Sequence, residues 1–135
     1  MDAIDEKIMA LLEKDSRTPN IVIAGKLKIS EGTVRNRIQR LVDEGAIARF
    51  TIDRGSFGFS ALALIRTDAG TPTGKIVKKL LAIDGVKTVR EVTGDWDVVC
   101  RIQVSNAEQF NDIIEKIRLV PKVLETKSLV VLKSH

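Results

Sequence analysis

The sequence is poor in several residue types on which common protein functions depend. Its 135 residues include one cysteine, one histidine, one tryptophan, four phenylalanines and no tyrosine. The lone Cys100 excludes an internal disulfide, and without a Cys/His cluster a zinc site of the usual kind is excluded too. The one histidine, His135, stands at the end of the sequence, a poor place for a base or a ligand. We therefore expect no metal, no cofactor and no enzymatic activity.

Long hydrophobic runs are also lacking. No apolar run approaches the roughly 20 residues that a membrane-spanning helix needs. The first residues, MDAIDEKIMALL, are acidic and amphipathic, unlike a secretory signal. We therefore expect a cytoplasmic protein with no membrane partner.

The basic charge of the N-terminal part is concentrated in one short segment. The net charge of +4 and pI near 9.4 favour an anionic partner only weakly. Residues 1–50 are almost balanced, with nine Lys/Arg and eight Asp/Glu. Within 26–40, however, Glu31 is the single acid against five basic residues, Lys26, Lys28, Arg35, Arg37 and Arg40. This distribution indicates a surface for an anion on that segment.

Apolar spacing and helix-capping residues predict three helices in residues 1–50. The first begins at Asp2 or Asp5 and carries an amphipathic stripe. Thr18 is expected to cap a second helix with Pro19 as its first residue, running to about Leu27. Ser30 is expected to cap a third helix over about 31–44.

The third helix has an apolar face and a polar face. Val34, Ile38 and Leu41 share the side that docks on the other helices. The opposite side offers side chains that suit base edges, since Asn pairs with adenine and Arg with guanine. An ordinary solvated face is the alternative interpretation, but the short turn before this helix and the basic cluster favour double-stranded DNA. The predicted DNA-binding residues are Ser30, Thr33, Arg35, Asn36, Arg37 and Arg40, with Arg35 and Arg37 expected at phosphates.

Residues 60–135 predict a second domain, joined to the first by a linker strand over 51–59. Strands are expected at 60–67, 86–92, 98–104 and 123–132. Helices are expected at 75–83 and after a Ser105-x-x-Glu108 capping box. The order βαββαβ is ferredoxin-like, an antiparallel sheet with both helices on one face. The fold class is thus α+β, with an N-terminal helix-turn-helix, winged-helix-like domain.

Two helices leave the other face of that sheet uncovered. We expect this face to carry apolar residues such as Val89, Val99 and Leu124 or their neighbours. An apolar face in so small a protein has to be buried by a partner. A fragment 59–135 is therefore expected to associate, whereas a fragment 1–47 is not.

The short segment Gly94–Asp97, GDWD, joins two predicted strands. One interpretation is a structural hairpin turn, in which glycine supplies a positive φ and Asp95 makes local hydrogen bonds. The residues alone favour this structural interpretation without excluding a functional one.

Several motifs together resemble one family. They are D-x-x-D-x-x-I-x-x-L-L at 2–12, D-x-R-T-P at 15–19, S-E-G-T-V-R-N-R-I-x-R-L at 30–41 and E-G-x-I at 44–47. This combination resembles the leucine-responsive regulatory protein/AsnC family, the feast/famine transcription regulators. Gly25 inside the second helix and Lys28 in the turn depart from that pattern.

The resemblance implies a regulator of amino-acid metabolism genes that responds to a free amino acid. It implies that the linker strand pairs with its copy in a second subunit, and that dimers associate further, commonly to octamers. It also places the effector at the GDWD loop between dimers. The expected effector-binding residues are Gly94, Asp95, Trp96 and Asp97, together with Thr126 and Ser128. Because Asp95 and Asp97 make the loop acidic, we favour lysine or arginine slightly.

Two other classes of function, a tetrapyrrole-processing enzyme and an RNA-binding module, fit the sequence less well. Relatives with this layout resemble siroheme decarboxylases, but this chain lacks the interior histidine or tyrosine expected of such a site. An RNA-binding sheet would need exposed aromatic residues on its strands, and the four predicted strands contain none.

Overall fold

The computed structural model describes residues 1–55 and 58–135. The chain divides into two compact units, Met1–Asp53 and Arg54–His135. Each has its own hydrophobic core. The described residues contain no helix that is long and apolar enough to cross a membrane.

The first unit contains three helices, α1 (Ala3–Lys14), α2 (Asn20–Leu27) and α3 (Glu31–Asp43). Its core is formed by the apolar sides of the three helices, chiefly Ile8, Leu12, Ile23, Val34 and Leu41. The predicted docking face of α3 is confirmed, with Val34 and Leu41 buried and Ile38 packed against the same core.

The start of α2 differs from the prediction. Pro19 is the N-cap residue, not the first helical residue, and no side chain caps this helix. The Thr18 hydroxyl donates instead to the Asp15 carbonyl at 2.7 Å. The Pro19 carbonyl accepts from the Val22 and Ile23 amides, so the helical hydrogen bonds begin at Pro19 and leave Thr18 outside the helix.

The turn between α2 and α3 is held by a lysine in a left-handed conformation. Lys28 has φ 56° and ψ 46°, a region that favours glycine. The turn that glycine often makes is therefore made here by a strained residue. Ser30 then caps α3 by accepting a hydrogen bond from the Thr33 amide, as predicted.

The single chain does not form the linker strand predicted for 51–59 over its described residues before Phe59. Residues 51–55 form no strand, residues 56 and 57 lie outside the described part, and the first strand begins at Phe59. A strand requires a hydrogen-bonding neighbour, and among the described residues of the chain none pairs with 51–55. The described residues after α3 likewise form no strand before Phe59.

The second unit is a four-stranded antiparallel sheet with two helices. Its elements are β1 (Phe59–Thr67), α4 (Thr73–Leu81), β2 (Val86–Glu91), β3 (Val98–Val104), α5 (Ala107–Arg118) and β4 (Val123–Val130). The strand order is β2-β3-β1-β4. This is the ferredoxin-like arrangement that the element order predicted.

The register of the sheet decides which residues face the helices. Ala63 pairs with Cys100 and Ile65 with Val98, and all four are fully buried. The alternate residues therefore form the uncovered face. Val99 lies there as predicted, but Val89 does not, because it pairs with Cys100 and packs in the core. Leu124 is exposed beside the irregular pairing of Arg66 and Thr67.

The cap of α5 lies one residue later than predicted. Asn106, not Ser105, is the N-cap, and its side chain accepts from the Gln109 amide at 2.9 Å. The Gln109 side chain in turn accepts from the Ser105 amide. The prediction chose Ser105 and Glu108 because that pair has the same three-residue spacing as Asn106 and Gln109, and spacing alone does not distinguish the two pairs.

Candidate functional sites

The third helix presents a short polar surface near its N-terminus. Thr33, Arg35 and Asn36 are exposed on it. Among the described residues, no side chain forms a hydrogen bond with the Asn36 amide, whereas the Thr33 hydroxyl lies 2.7 Å from that of Ser30. In helix-turn-helix proteins the N-terminal part of the second helix of the motif meets base edges. This surface therefore has the position and the chemistry for base contacts.

Arg35 is held only loosely. Its guanidinium donates to Glu31 at 2.9 Å, one helical turn earlier, and both side chains are about half exposed or more. Exposed pairs of this kind contribute little stability. Arg35 can therefore leave Glu31 for a phosphate at small cost, in keeping with its predicted role.

Arg37 and Arg40 are placed differently from what the sequence suggested. Arg37 Nη1 donates to Asp2 at 2.7 Å and to Asp5 at 2.9 Å, and Arg40 Nη2 donates to Asp5 at 2.7 Å. Arg37 is only 22% exposed, and Arg40 is 48% exposed. The position of Arg37 does not support the predicted phosphate contact, because its guanidinium already binds two carboxylates within its own unit.

These ion pairs change the acidity of the carboxyl groups. The Arg37 hydrogen bond lowers the pKa of Asp2 to about 2. The pKa of Asp5 is also lowered, first by the Asp2 backbone amide and then by Arg37. Both acids are thus charged at neutral pH. We call Asp2, Asp5, Arg37 and Arg40 the Asp5 cluster.

The GDWD loop closes the β2–β3 hairpin against the end of β1. Gly94 has φ +112°, as the predicted turn requires. The Asp97 amide donates to the Ile65 carbonyl at 3.0 Å, and the Thr67 amide donates to the Asp97 carboxylate at 2.8 Å. Asp97 therefore fastens the loop to β1, as the structural interpretation of this segment expected. Gly94 and Asp95 remain exposed.

Arg66 joins this loop to β4, which sequence reasoning missed. Its Nε donates to the Asp95 carbonyl at 3.2 Å, and its Nη1 pairs with Glu125 at 2.8 Å. Its guanidinium carbon lies 5.0 Å from the centre of the Trp96 ring, a cation–π contact. An arginine at the end of an otherwise apolar strand was the available signal, but its partners lie in the GDWD loop and on β4.

Thr126 and Ser128 lie on the opposite side of the sheet from that contact. They pair with Ile65 and Ala63, whose side chains are buried under the helices. Arg66 and Glu125 pair with each other on the other face. The single chain therefore does not bring Thr126 and Ser128 together with Trp96, because the alternation of a strand separates neighbouring positions.

The fold and these two surfaces define a class: a helix-turn-helix DNA-binding unit followed by a ferredoxin-like unit with an exposed polar loop. Comparison with known proteins gives the same division. A winged helix-turn-helix DNA-binding family model matches residues 1–48, and the Lrp/AsnC ligand binding domain model matches residues 60–135.

Individual relatives cover almost the whole chain. The HTH-type transcriptional regulator LysM of Sulfurisphaera tokodaii is 41% identical over 98% of this chain and 96% of its own length. Among solved structures, AsnC of E. coli has a TM-score of 0.77 at 20% identity, covering 99% of this chain and 93% of that one. The feast or famine regulatory protein from M. tuberculosis, solved with L-methionine, has a TM-score of 0.84 at 24% identity, covering 98% and 92%.

The chain belongs to the Lrp/AsnC family. It is a DNA-binding transcriptional regulator whose second unit is the family's ligand-binding domain.

Proposed function

We propose that this regulator binds a specific DNA operator through α3 and responds to a free amino acid at the GDWD loop. It acts in the cytoplasm on genes of amino-acid metabolism and catalyses no reaction. The observation that carries it is the exposed Thr33, Arg35 and Asn36 surface on the second helix of a helix-turn-helix. The amide of Asn36 is the group best suited to read a base there.

Selection from a random DNA pool with the full chain tests the DNA half of this proposal. We expect an enriched, two-fold related sequence, since paired helices require paired half-sites. Asn36→Ala should weaken binding to that sequence by about 1–3 kcal/mol and relax preference at one base position. Asn111→Ala, an exposed amide on α5, is the matched control and should bind like wild type. Equal binding by Asn36→Ala and wild type would contradict the assignment.

The amino-acid half of the proposal is supported by the family's ligand-binding domain and the exposed loop. Gly94 and Asp95 are open to solvent, so one chain does not enclose a ligand there. A second copy of the chain would complete the site, as the family resemblance implies. Loop amides would hold the α-carboxylate of the ligand.

The preference for a basic side chain now depends on Asp95. Asp97 accepts from Thr67, and Arg66 adds a positive charge beside the same loop. Asp95 remains exposed with its carboxylate available to an ammonium group. The preference for lysine or arginine is therefore kept as a slight one.

Calorimetry with the twenty amino acids tests this. We expect heat from at least one of them, greatest for lysine or arginine, and a weaker response from Asp95→Asn. Glu91→Gln, an exposed acid at the end of β2, serves as the control for charge. Tight binding of leucine or glutamate with none of lysine or arginine would remove the basic preference. No heat of binding from any of the twenty would contradict the proposed amino-acid sensing without affecting the proposed DNA binding.

Two alternatives gain no support. The β1 strand does contain one aromatic residue, because it begins at Phe59 rather than at residue 60. Its ring packs against Phe110 at 5.1 Å between centroids, so it is not an exposed platform for RNA bases. Nothing in the described residues favours a tetrapyrrole-processing enzyme.

A further inference from the structure

A buried carboxylate lies between the first helix and the DNA-binding helix. Asp5 has no exposed surface, and among residues 1–55 it is the one charged residue that is fully buried. Removing an unpaired carboxylate from water is strongly unfavourable, so such a group has to be paired. The role of Asp5 can therefore be inferred from the groups that bind its carboxylate.

Both oxygens of Asp5 are used. Oδ1 accepts from Arg37 at 2.9 Å, and Oδ2 accepts from Arg40 at 2.7 Å and from the Asp2 amide at 3.0 Å. Asp2, which caps α1, accepts from Arg37 through its own carboxylate at 2.7 Å. The first turn of α1 is thus joined to two successive turns of α3.

Stability alone does not explain this arrangement. A well-packed apolar contact commonly stabilises a fold as much as a buried ion pair, or more. What the ion pairs add is direction, because a guanidinium bound by fixed carboxylate oxygens has one orientation. Here the fixed groups are two arginines of the helix that meets DNA.

We propose that Asp5 is a positioning residue for sequence selectivity. It fixes the Arg37 guanidinium between α1 and α3, and it fixes the half-exposed Arg40 guanidinium at the protein surface. Asp5 itself is too deeply buried to contact DNA. This inference rests on the proposed sequence-specific binding and adds a residue outside α3 to it.

The charges of the Asp5 cluster give the proposal a distinctive signature. Its two carboxylates offset its two guanidinium groups, and Glu44 lies a further 3.9 Å from Arg40 Nε, so this surface adds no net positive charge for phosphates. Asp5→Asn keeps the size of the side chain but removes one negative charge, and Arg40 then keeps only its longer, exposed ion pair with Glu44. Non-specific DNA binding, which depends on charge, should then strengthen, while operator binding weakens because the arginines are no longer held.

The test uses the full chain and two duplexes, one selected by the wild type from a random pool and one with the same bases shuffled. For Asp5→Asn we expect the ratio of selected to shuffled affinity to fall at least tenfold. The slope of log K against log salt on the shuffled duplex should steepen by about 0.9, the value for one more phosphate contact. Glu6→Gln is the matched control, since it removes an exposed acid from the same helical turn, and its ratio should match the wild type.

Circular dichroism first shows whether each variant is folded. If Asp5→Asn has lost its helices, Asp2→Asn is used in its place. Asparagine still caps a helix, but the substitution removes the negative charge that pairs with Arg37. Its ratio should fall about threefold. A folded variant with an unchanged ratio would overturn the proposal, as would an equal loss on both duplexes, which indicates stability only. If the wild type selects no sequence, the proposed function fails as well.

Discussion

At the scale of single residues, burial decides how Cys100 reacts. It lies in the middle of β3 with no exposed surface, paired with Ala63 and Val89. Burial raises the pKa of its thiol to about 12. Because the thiolate is the reactive form, we expect almost no reaction with an aromatic disulfide reagent at pH 8 in the native protein. One thiol per chain should react after unfolding in guanidinium, and fast reaction of the native protein would contradict this burial.

Two glycines should respond in opposite ways to the same substitution. Gly85 is buried with φ +98°, and an added methyl group would meet Ile113 and Val104. Gly85→Ala should therefore lower the free energy of unfolding by about 1–3 kcal/mol. Gly25 lies on the exposed side of α2 with open space around it, so Gly25→Ala should raise that energy by about 0.4–1 kcal/mol. Urea titration of both variants measures the difference, and the same sign for both would be inconsistent with these surroundings.

At the scale of elements, the pairing of α1 with α3 should make stability depend on acid pH. The folded pKa of Asp2, about 2, lies below the ordinary 3.8. A lowered pKa stabilises the fold fully above the ordinary value, and that contribution is lost as the pH falls from about 3.8 towards 2. Asp2→Asn should therefore melt at a lower temperature than wild type at pH 7, with the difference in melting temperature shrinking steadily as the pH falls from about 3.8 towards 2.

Thermal melts followed by circular dichroism at several pH values measure this. Glu6→Gln provides the comparison, because Glu6 is exposed in the same turn and makes none of the contacts with Arg37. Its melting temperature should follow the wild type at every pH. A constant gap between Asp2→Asn and wild type from pH 7 to pH 2 would show that the ion pair is not its cause.

At the scale of the whole molecule, the face of the sheet opposite the two helices is apolar at its centre. Its centre is formed by Leu62, Leu64 and Val99, with Leu129 44% exposed beside them on β4. Charged neighbours such as Arg101 and Lys127 flank this centre. An apolar centre with a polar rim is the usual form of an interface between subunits.

We therefore expect the full chain to be at least a dimer through this face, with larger assemblies such as octamers built from dimers. Leu64→Arg would place a charge in the centre of the face and should lower the mass measured by light scattering to that of a monomer. Leu119→Arg changes an 80% exposed leucine at the end of α5, and its mass should equal that of the wild type. A monomeric wild type would refute the assembly.

Local sequence patterns were sufficient to predict most elements. The apolar spacing of residues 31–44 and 98–104 identified α3 and β3 closely, because side chains facing a core repeat with the period of the helix or the strand. The Ser30 cap and the turn at Gly94 followed from the chemistry of single residues. The family motifs then indicated both domains and their general function.

Long-range contacts were decided only by the tertiary structure. Arg40 and Asp5 are 35 residues apart, and nothing in the spacing of α3 shows that its arginines meet the start of α1. Likewise, alternation along β4 does not say which side Thr126 and Ser128 occupy until its pairing with β1 is known. Periodicity describes one element at a time, whereas partners across elements depend on how those elements pack.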